Sequence, residues 1–455
     1  MNRMESRNPA NGALLAGFPE PDDSALEARL ALTATANAGW RERPLAERRA
    51  ALSGIAALLD QESEHLARTM TLEMGKPIRE ARAEIAKCAL GCRHYVEHAA
   101  AYLRPEIIAS DAMRSYVDCQ PLGTILAIMP WNFPFWQVFR CAAPALAAGN
   151  TMLLKHAANV PQCALAIEDL LARAGLPAGV FQALLIRAER AERLIADPRV
   201  AAVTLTGSET AGRRVAAAAG AALKKSVLEL GGSDPFVVLE DADLDLAAQT
   251  AVTARFQNNG QSCIAAKRFI VLDSVADDFL ERFRRGVAAL VVGDPLREET
   301  QVGPLARADL RDQLHRQVDN SIAAGARLSC GGEIPDGAGY FYPPTILDEV
   351  RPGMPAYSEE MFGPAAAVIR VADEEEALRV ANDSRFGLGA SVWTQDATRG
   401  ERFIRRVESG LGFVNGMVRS DPRLPFGGVK ASGYGRELSA YGLREFVNLR
   451  TVWIR

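Results

Sequence analysis

Gly123-Thr124-Ile125-Leu126-Ala127-Ile128-Met129 is a short apolar run that stops at Pro130. A run of this length between turn residues reads as a strand buried on both faces. Thr151 to Lys155, Val180 to Ile186, Ala201 to Thr206 and Ser226 to Glu229 repeat the pattern. The segments between them are Ala-rich and helical, as in Pro161 to Ala174. Short apolar strands alternating with helices predict a parallel sheet covered by helices. A second alternation begins at Gly231-Gly232. Its strands fall at Phe236 to Leu239, Phe269 to Leu272 and Ala366 to Val371, and its helices at Asp277 to Val291, Ala306 to Ala323 and Glu374 to Ala381. The chain therefore reads as two α/β units in series.

Outward from these units the pattern changes. The segment before Arg114 reads as helices. Ser24 with Glu27 has the form of a capping box. Pro44 suits the first turn of a helix over Leu45 to Leu59, and Pro77 opens another that runs to about Leu103. Thr451 to Ile454 is a β-prone tail. A terminal strand stays exposed unless something pairs with it, and a second subunit would serve.

A length of 455 residues suggests two or three domains. The 52 basic and 56 acidic residues form no block of one sign, which argues against a nucleic-acid partner. Seven cysteines, an odd number in a long chain, fit reduced thiols in a cytoplasmic protein. Met1 to Asn11 lacks the apolar core of a signal peptide. The 21 uncharged residues from Cys119 to Phe139 are long enough for a membrane span, but Pro121, Gly123, Pro130 and Pro134 break them up. No membrane segment is expected.

The chain has no glycine fingerprint for dinucleotides, no phosphate-binding P-loop, no serine nucleophile elbow and no zinc-protease motif. Cys88, Cys92, His94 and His98 are the nearest approach to a metal cluster. On a helix they fall on different faces, so core thiols beside surface histidines are expected, and no metal. Cys263 follows the polar approach Asn258-Asn259-Gly260-Gln261-Ser262. Alone, it serves structure or nucleophilic chemistry equally well. Glu229 ends an apolar run and is either a strand end facing water or a buried base with a raised pKa. Asn132, between Pro130 and Pro134, is a rigid amide fit to hold an oxyanion or to cap a helix. Arg140 lies in an apolar helical stretch and needs an anion, from the protein or from a ligand.

Five motifs together resemble the aldehyde dehydrogenase superfamily: Pro130-Trp131-Asn132-Phe133-Pro134, Leu228-Glu229-Leu230-Gly231-Gly232, Gly260-Gln261-Ser262-Cys263, Glu359-Glu360-Met361-Phe362-Gly363-Pro364 and Pro425-Phe426-Gly427-Gly428-Val429-Lys430-Ala431-Ser432-Gly433. They stand in the family's order, and the match runs from about Asn8-Pro9-Ala10 to the C-terminus. Leu154 to Asn159, Ala221 to Pro235 and Ala265 to Phe269 resemble the shorter bacterial branch, which contains NAD(P)-dependent succinate-semialdehyde dehydrogenases.

The resemblance implies an α/β fold of two Rossmann-like domains and a small β oligomerisation element. Residues 1–111 and 122–231 would bind cofactor, 232–438 would be catalytic, and 112–121 with 439–455 would join subunits into a homodimer or homotetramer. It implies Cys263 as nucleophile, Asn132 and the Cys263 N–H as oxyanion donors, and Glu229 as the base that activates water. Relatives that transfer the acyl group to coenzyme A lack that glutamate, so a free acid is the expected product. For NAD or NADP, the resemblance implies Lys155 at the adenosine ribose, Gly207 and Ser208 at the pyrophosphate, and Trp131, Leu230, Glu360 and Phe362 around the nicotinamide ribose. Ala158 stands where NAD-specific relatives often carry a glutamate. With Lys155, and His156 as a further positive group, this implies tolerance of NADP without exclusion of NAD. For a carboxylate-bearing aldehyde such as succinate semialdehyde, the implied contacts are Arg140, Trp136 and Ser420. Glutarate semialdehyde, an aliphatic aldehyde, or a catalytically silent relative are the alternatives.

Overall fold

Five parallel strands organise the first half of the molecule, whose computed structural model describes residues 3–455. Side by side they are Lys225–Glu229, Val200–Thr206, Thr124–Met129, Thr151–His156 and Phe181–Ala183. The chain starts in the middle, winds outward, then returns to the other side. That reversal leaves a crevice beyond the C-terminal ends of Thr124–Met129 and Val200–Thr206, the usual ligand position in such sheets. Pro130-Trp131-Asn132 and Gly207-Ser208 emerge there.

The strands are apolar throughout because both faces are covered. Ile125 and Ala127 pack into one core with Leu146 and Ile85. Leu126 packs on the opposite face with Leu30, Leu194 and Val215. This is the alternation a pleated strand imposes. A sixth, antiparallel strand, Gly433–Tyr434, adds to the edge, pairing Gly433 with Glu229. It delivers the C-terminal part of the chain to the end of the Glu229 strand.

A second sheet runs Arg327–Cys330, Thr345–Asp348, Ala365–Val371, Ala266–Leu272, Asp234–Val238, Gly389–Trp393, Leu411–Val414. All its neighbours are parallel except the Arg327–Cys330 edge. Cys263 lies just before Ala266–Leu272, and Glu360 just before the adjacent Ala365–Val371. The second sheet thus contributes its strand entrances to the site, where the first contributes its strand exits.

Several expectations change. The N-terminal part is not all helix: Arg3–Arg7 and Leu14–Pro19 form an antiparallel hairpin. The first helix, Asp23–Glu42, is capped by Asp22, which accepts from the Ala25 N–H at 2.7 Å, so Ser24 is inside the first turn. Glu27 cannot close a capping box because it pairs with Arg199. A separate helix, Ser63–Met74, stands between Leu45–Gln61 and Ile78–Tyr102. The tail strand Val447–Ile454 finds its partner within the chain, along Arg114–Pro121. Leu449 and Trp453 remain exposed on it. Among the described residues no helix is long and apolar enough to cross a membrane. The uncharged run is divided among two strands and the start of helix Trp136–Ala148.

Candidate active site

Cys263 owes its position to the turn before it. Helix Leu244–Phe256 breaks into a tight turn in which Asn258 and Asn259 have φ of 55° and 56°. Asparagine tolerates this left-handed region because its side chain bonds locally. The Asn258 amide donates to the carbonyls of Gln261 and Asn132 at 2.9 and 2.8 Å, and Asn259 donates to Gly75 and Pro304 at 2.8 and 2.9 Å. Gly260, φ 71°, lies so close to the Gly363 backbone that any Cβ would collide. The buried Lys267 ammonium donates to the Ser262 and Cys263 carbonyls at 2.9 and 2.8 Å. Arg255 donates to the carbonyls of Gly260 at 3.2 Å and Met361 at 3.0 Å. The Cys263 loop and the Glu360 segment are therefore one rigid unit.

This unit faces the crevice of the first sheet across a cavity of about 490 Å³. Cys263, Asn132 and Leu230 share its wall with Glu360 and Phe362. Gly207 and Ser208 form another part of the lining, where Ser208 caps helix Glu209–Ala221 through the Ala211 N–H. Trp131 lines the cavity too and stands edge-on to Phe362, with ring centres 5.7 Å apart. Glu360 accepts from the Gly232 N–H at 3.0 Å and lies 3.6 Å from Lys267. A Cβ at Gly231 would strike the Glu360 carboxylate, so glycine is what lets it lie across the wall.

Burial sets the electrostatics. It pushes the Cys263 thiol up to about 12, against the opposing charges of Arg140 and Lys267. Glu229 is buried, and neither carboxyl oxygen has a hydrogen-bond partner. Loss of water, reinforced by the charge of Glu437, holds its pKa well above the carboxylate range despite Arg140 and Arg436. The Asn132 amide nitrogen donates to Gln261 at 3.1 Å, which leaves its second N–H for another acceptor. Asn132 is not a helix cap. That duty falls to Glu84, which accepts from the Phe135 and Trp136 N–H groups at 2.9 Å each.

Arg140 requires a correction. It forms a buried ion pair with Glu437, donates to the Thr206 hydroxyl at 3.3 Å and lies over the Phe426 ring. Its anion comes from the protein, so it does not stand free as a carboxylate clamp. Trp136 and Ser420 do meet, at 3.2 Å, and Lys87 joins them. His156 also differs from expectation. Its Nε2–H donates to the Pro134 carbonyl at 2.8 Å and its Nδ1 accepts from the Ala157 N–H at 3.0 Å, and burial lowers its pKa to about 4, so it brings no positive charge. Ala158 is exposed, and Lys155 lies partly buried at the end of Thr151–His156. Neither Lys155 nor Ala158 lines the cavity. Cys88 and Cys92 are core thiols, but His94 is buried as well, its ring 4.5 Å from that of His98. Among the described residues no His, Cys, Asp or Glu cluster could hold a metal.

Sequence reasoning missed Glu437, Lys267 and Lys87. A lysine inside Ala266–Leu272, every residue of which is buried, was a usable signal, since such a charge demands partners. Glu437 and Lys87 gave none, because their partners are remote in sequence.

A sequence model of the aldehyde dehydrogenase family matches residues 1–452. A probable succinate-semialdehyde dehydrogenase [NADP(+)] of Synechocystis is 54% identical over 447 residues, 98% of each chain. The structure of Gox0499, described for its cofactor and substrate selection, superposes with a TM-score of 0.98 at 41% identity, covering 100% of both chains. Succinic semialdehyde dehydrogenase from Streptococcus pyogenes, solved with NADP+, gives 0.97 at 38% identity over 99% of each. On the match of nearly its whole length, this chain belongs to the aldehyde dehydrogenase family.

Proposed function

We propose that this enzyme oxidises succinate semialdehyde to succinate with NADP or NAD. The observation that carries the reading is the arrangement around Cys263: a thiol and the Asn132 amide on one cavity wall, with the unpartnered Glu229 carboxyl at the strand end before Leu230. The names of the relatives supply the substrate.

The cavity suits a dinucleotide. Free N–H groups at the Ser208-capped helix start suit a pyrophosphate, and Glu360 suits ribose hydroxyls. When bound, the oxidised nicotinamide supplies the hydride acceptor. Trp131, Leu230 and Phe362 line its place, and Lys155 beside Ala158 would accommodate the adenosine end, with no carboxylate at position 158 to repel a 2′-phosphate.

The Cys263 thiol, neutral at pH 7, releases its proton to water as its sulfur bonds to the aldehyde carbon. Asn132 and the Cys263 N–H hold the resulting oxyanion. Loss of hydride leaves a thioester on Cys263. Glu229 then takes a proton from water, which attacks the thioester; the acid is released, and Glu229 returns the proton to the departing sulfur. The domains follow the division set out above, with cofactor contacts from 1–111 and 122–231 and the nucleophile from 232–438. The exposed Ile107, Met113, Leu449 and Trp453 around the three-stranded sheet fit an interface with a second copy, as a homodimer or homotetramer.

Initial rates test the reading. The kcat/KM for succinate semialdehyde is expected to exceed that for butanal by about 10–100-fold, the worth of charge-assisted hydrogen bonds to a carboxylate. Equal values would rule out the acidic substrate. The rate with NADP is expected to equal or exceed that with NAD.

A further inference from the structure

Lys87 is a cation without a carboxylate. It lies partly buried on helix Ile78–Tyr102, and no acidic side chain reaches it within ion-pair distance among the described residues. The candidates nearby are already engaged. Glu84, on the same helix, pairs with the buried Lys76 and accepts two backbone N–H groups from the neighbouring helix. Asp421 turns to Arg423 at 2.6 Å. Glu437 belongs to Arg140. What Lys87 touches is neutral: its ammonium donates to the Ser420 hydroxyl at 2.7 Å and sits 4.7 Å from the centre of the Trp136 ring. The Trp136 indole N–H points to the same hydroxyl at 3.2 Å. A cation, a hydroxyl and an indole N–H converging on one point, with no anion present, make a receptor for a carboxylate.

The cluster connects to the cavity through helix Trp136–Ala148, whose Gln137 lines it. Trp136 stands one turn before Arg140 on helix Trp136–Ala148, and Arg140 acts electrostatically on Cys263, Glu229 and Lys87 alike. We propose that Lys87, with Ser420 and Trp136, binds the remote carboxylate of the substrate. The proposal rests on the semialdehyde reading above.

The groups that act on Lys87 are Arg140 from the facing helix, Cys88 and Glu84 from its own, and Asp421 from the loop after Ser420. Burial first, then Arg140, lowers its pKa to about 8. The cation is present below that pH and lost above it. The ratio of kcat/KM for succinate semialdehyde to that for butanal should therefore fall in the wild type as pH rises through about 8.

The test measures that ratio in wild type, Lys87→Gln and Lys87→Arg across pH. Lys87→Gln is expected to lower it about 10–100-fold, chiefly through KM, whereas Lys87→Arg keeps it and removes its decline at high pH. A wild type with the preference and a Lys87→Gln that retains it would overturn the role of Lys87 and leave the semialdehyde reading intact. A wild type without the preference would overturn both. Should Lys87→Gln fail to fold, the wild-type and Lys87→Arg pH profiles decide: a ratio flat through pH 8 in wild type rejects the proposal.

Discussion

Glu229→Gln stops the enzyme after one turnover. The amide keeps the shape of the side chain and cannot take a proton, so the thioester on Cys263 is no longer hydrolysed. Removing a general base costs about 10²–10⁴-fold, and the steady-state kcat should fall by that amount. Mixing with excess aldehyde and NADP should still give a burst of reduced cofactor close to one equivalent per site. A kcat within a few fold of wild type would remove Glu229 from the mechanism. In the wild type, burial keeps this carboxyl protonated to higher pH than an ordinary glutamate. The base works only when deprotonated, so kcat should decline on acidification at a pH above the normal carboxylate range, and this limb should be missing from the residual rate of Glu229→Gln.

The second large effect concerns stability. Arg140→Met leaves Glu437 buried with no partner, and breaking a buried ion pair in this way costs about 3–5 kcal/mol. The double change Arg140→Met with Glu437→Leu removes both charges and should recover most of that loss, because a buried pair is often replaceable by apolar side chains. Denaturant melts of the two variants beside wild type measure this. A single variant as stable as wild type would contradict the ion pair. Arg140 also opposes the upward shift of Glu229, so the acid limb of kcat in Arg140→Met should move to higher pH.

How far the sequence could be read follows from where its information lies. Strands such as Thr124–Met129 were legible because a central parallel strand is apolar on both faces. Arg3–Arg7 was not, since its only buried residues are Met4 and Ser6. Gly389–Trp393 and Leu411–Val414 are short and rich in small residues, so they carry little periodic signal. Asp22, Asp23 and Ser24 can all cap a helix, and the choice of Asp22 becomes clear only once Arg199 takes Glu27. At the site, Cys263, Asn132 and Glu360 were named from motifs and do share one cavity. Arg140 was correctly read as needing an anion. Its source could not be read, because Glu437 comes to it through the Gly433–Tyr434 strand and its return beside Glu229. Lys87 lies on an ordinary amphipathic helix, and only the fold shows that nothing neutralises it.

The central claim is that the sulfur of Cys263 carries the acyl group, and Glu229→Gln makes the claim directly observable. The variant is mixed with succinate semialdehyde and NADP, quenched in acid, digested and examined by mass spectrometry. The peptide containing Cys263 is expected to gain the mass of one succinyl group, in step with the burst of reduced cofactor. Reduced cofactor formed while that peptide stays unmodified, or an acyl group on a different cysteine, would contradict the account.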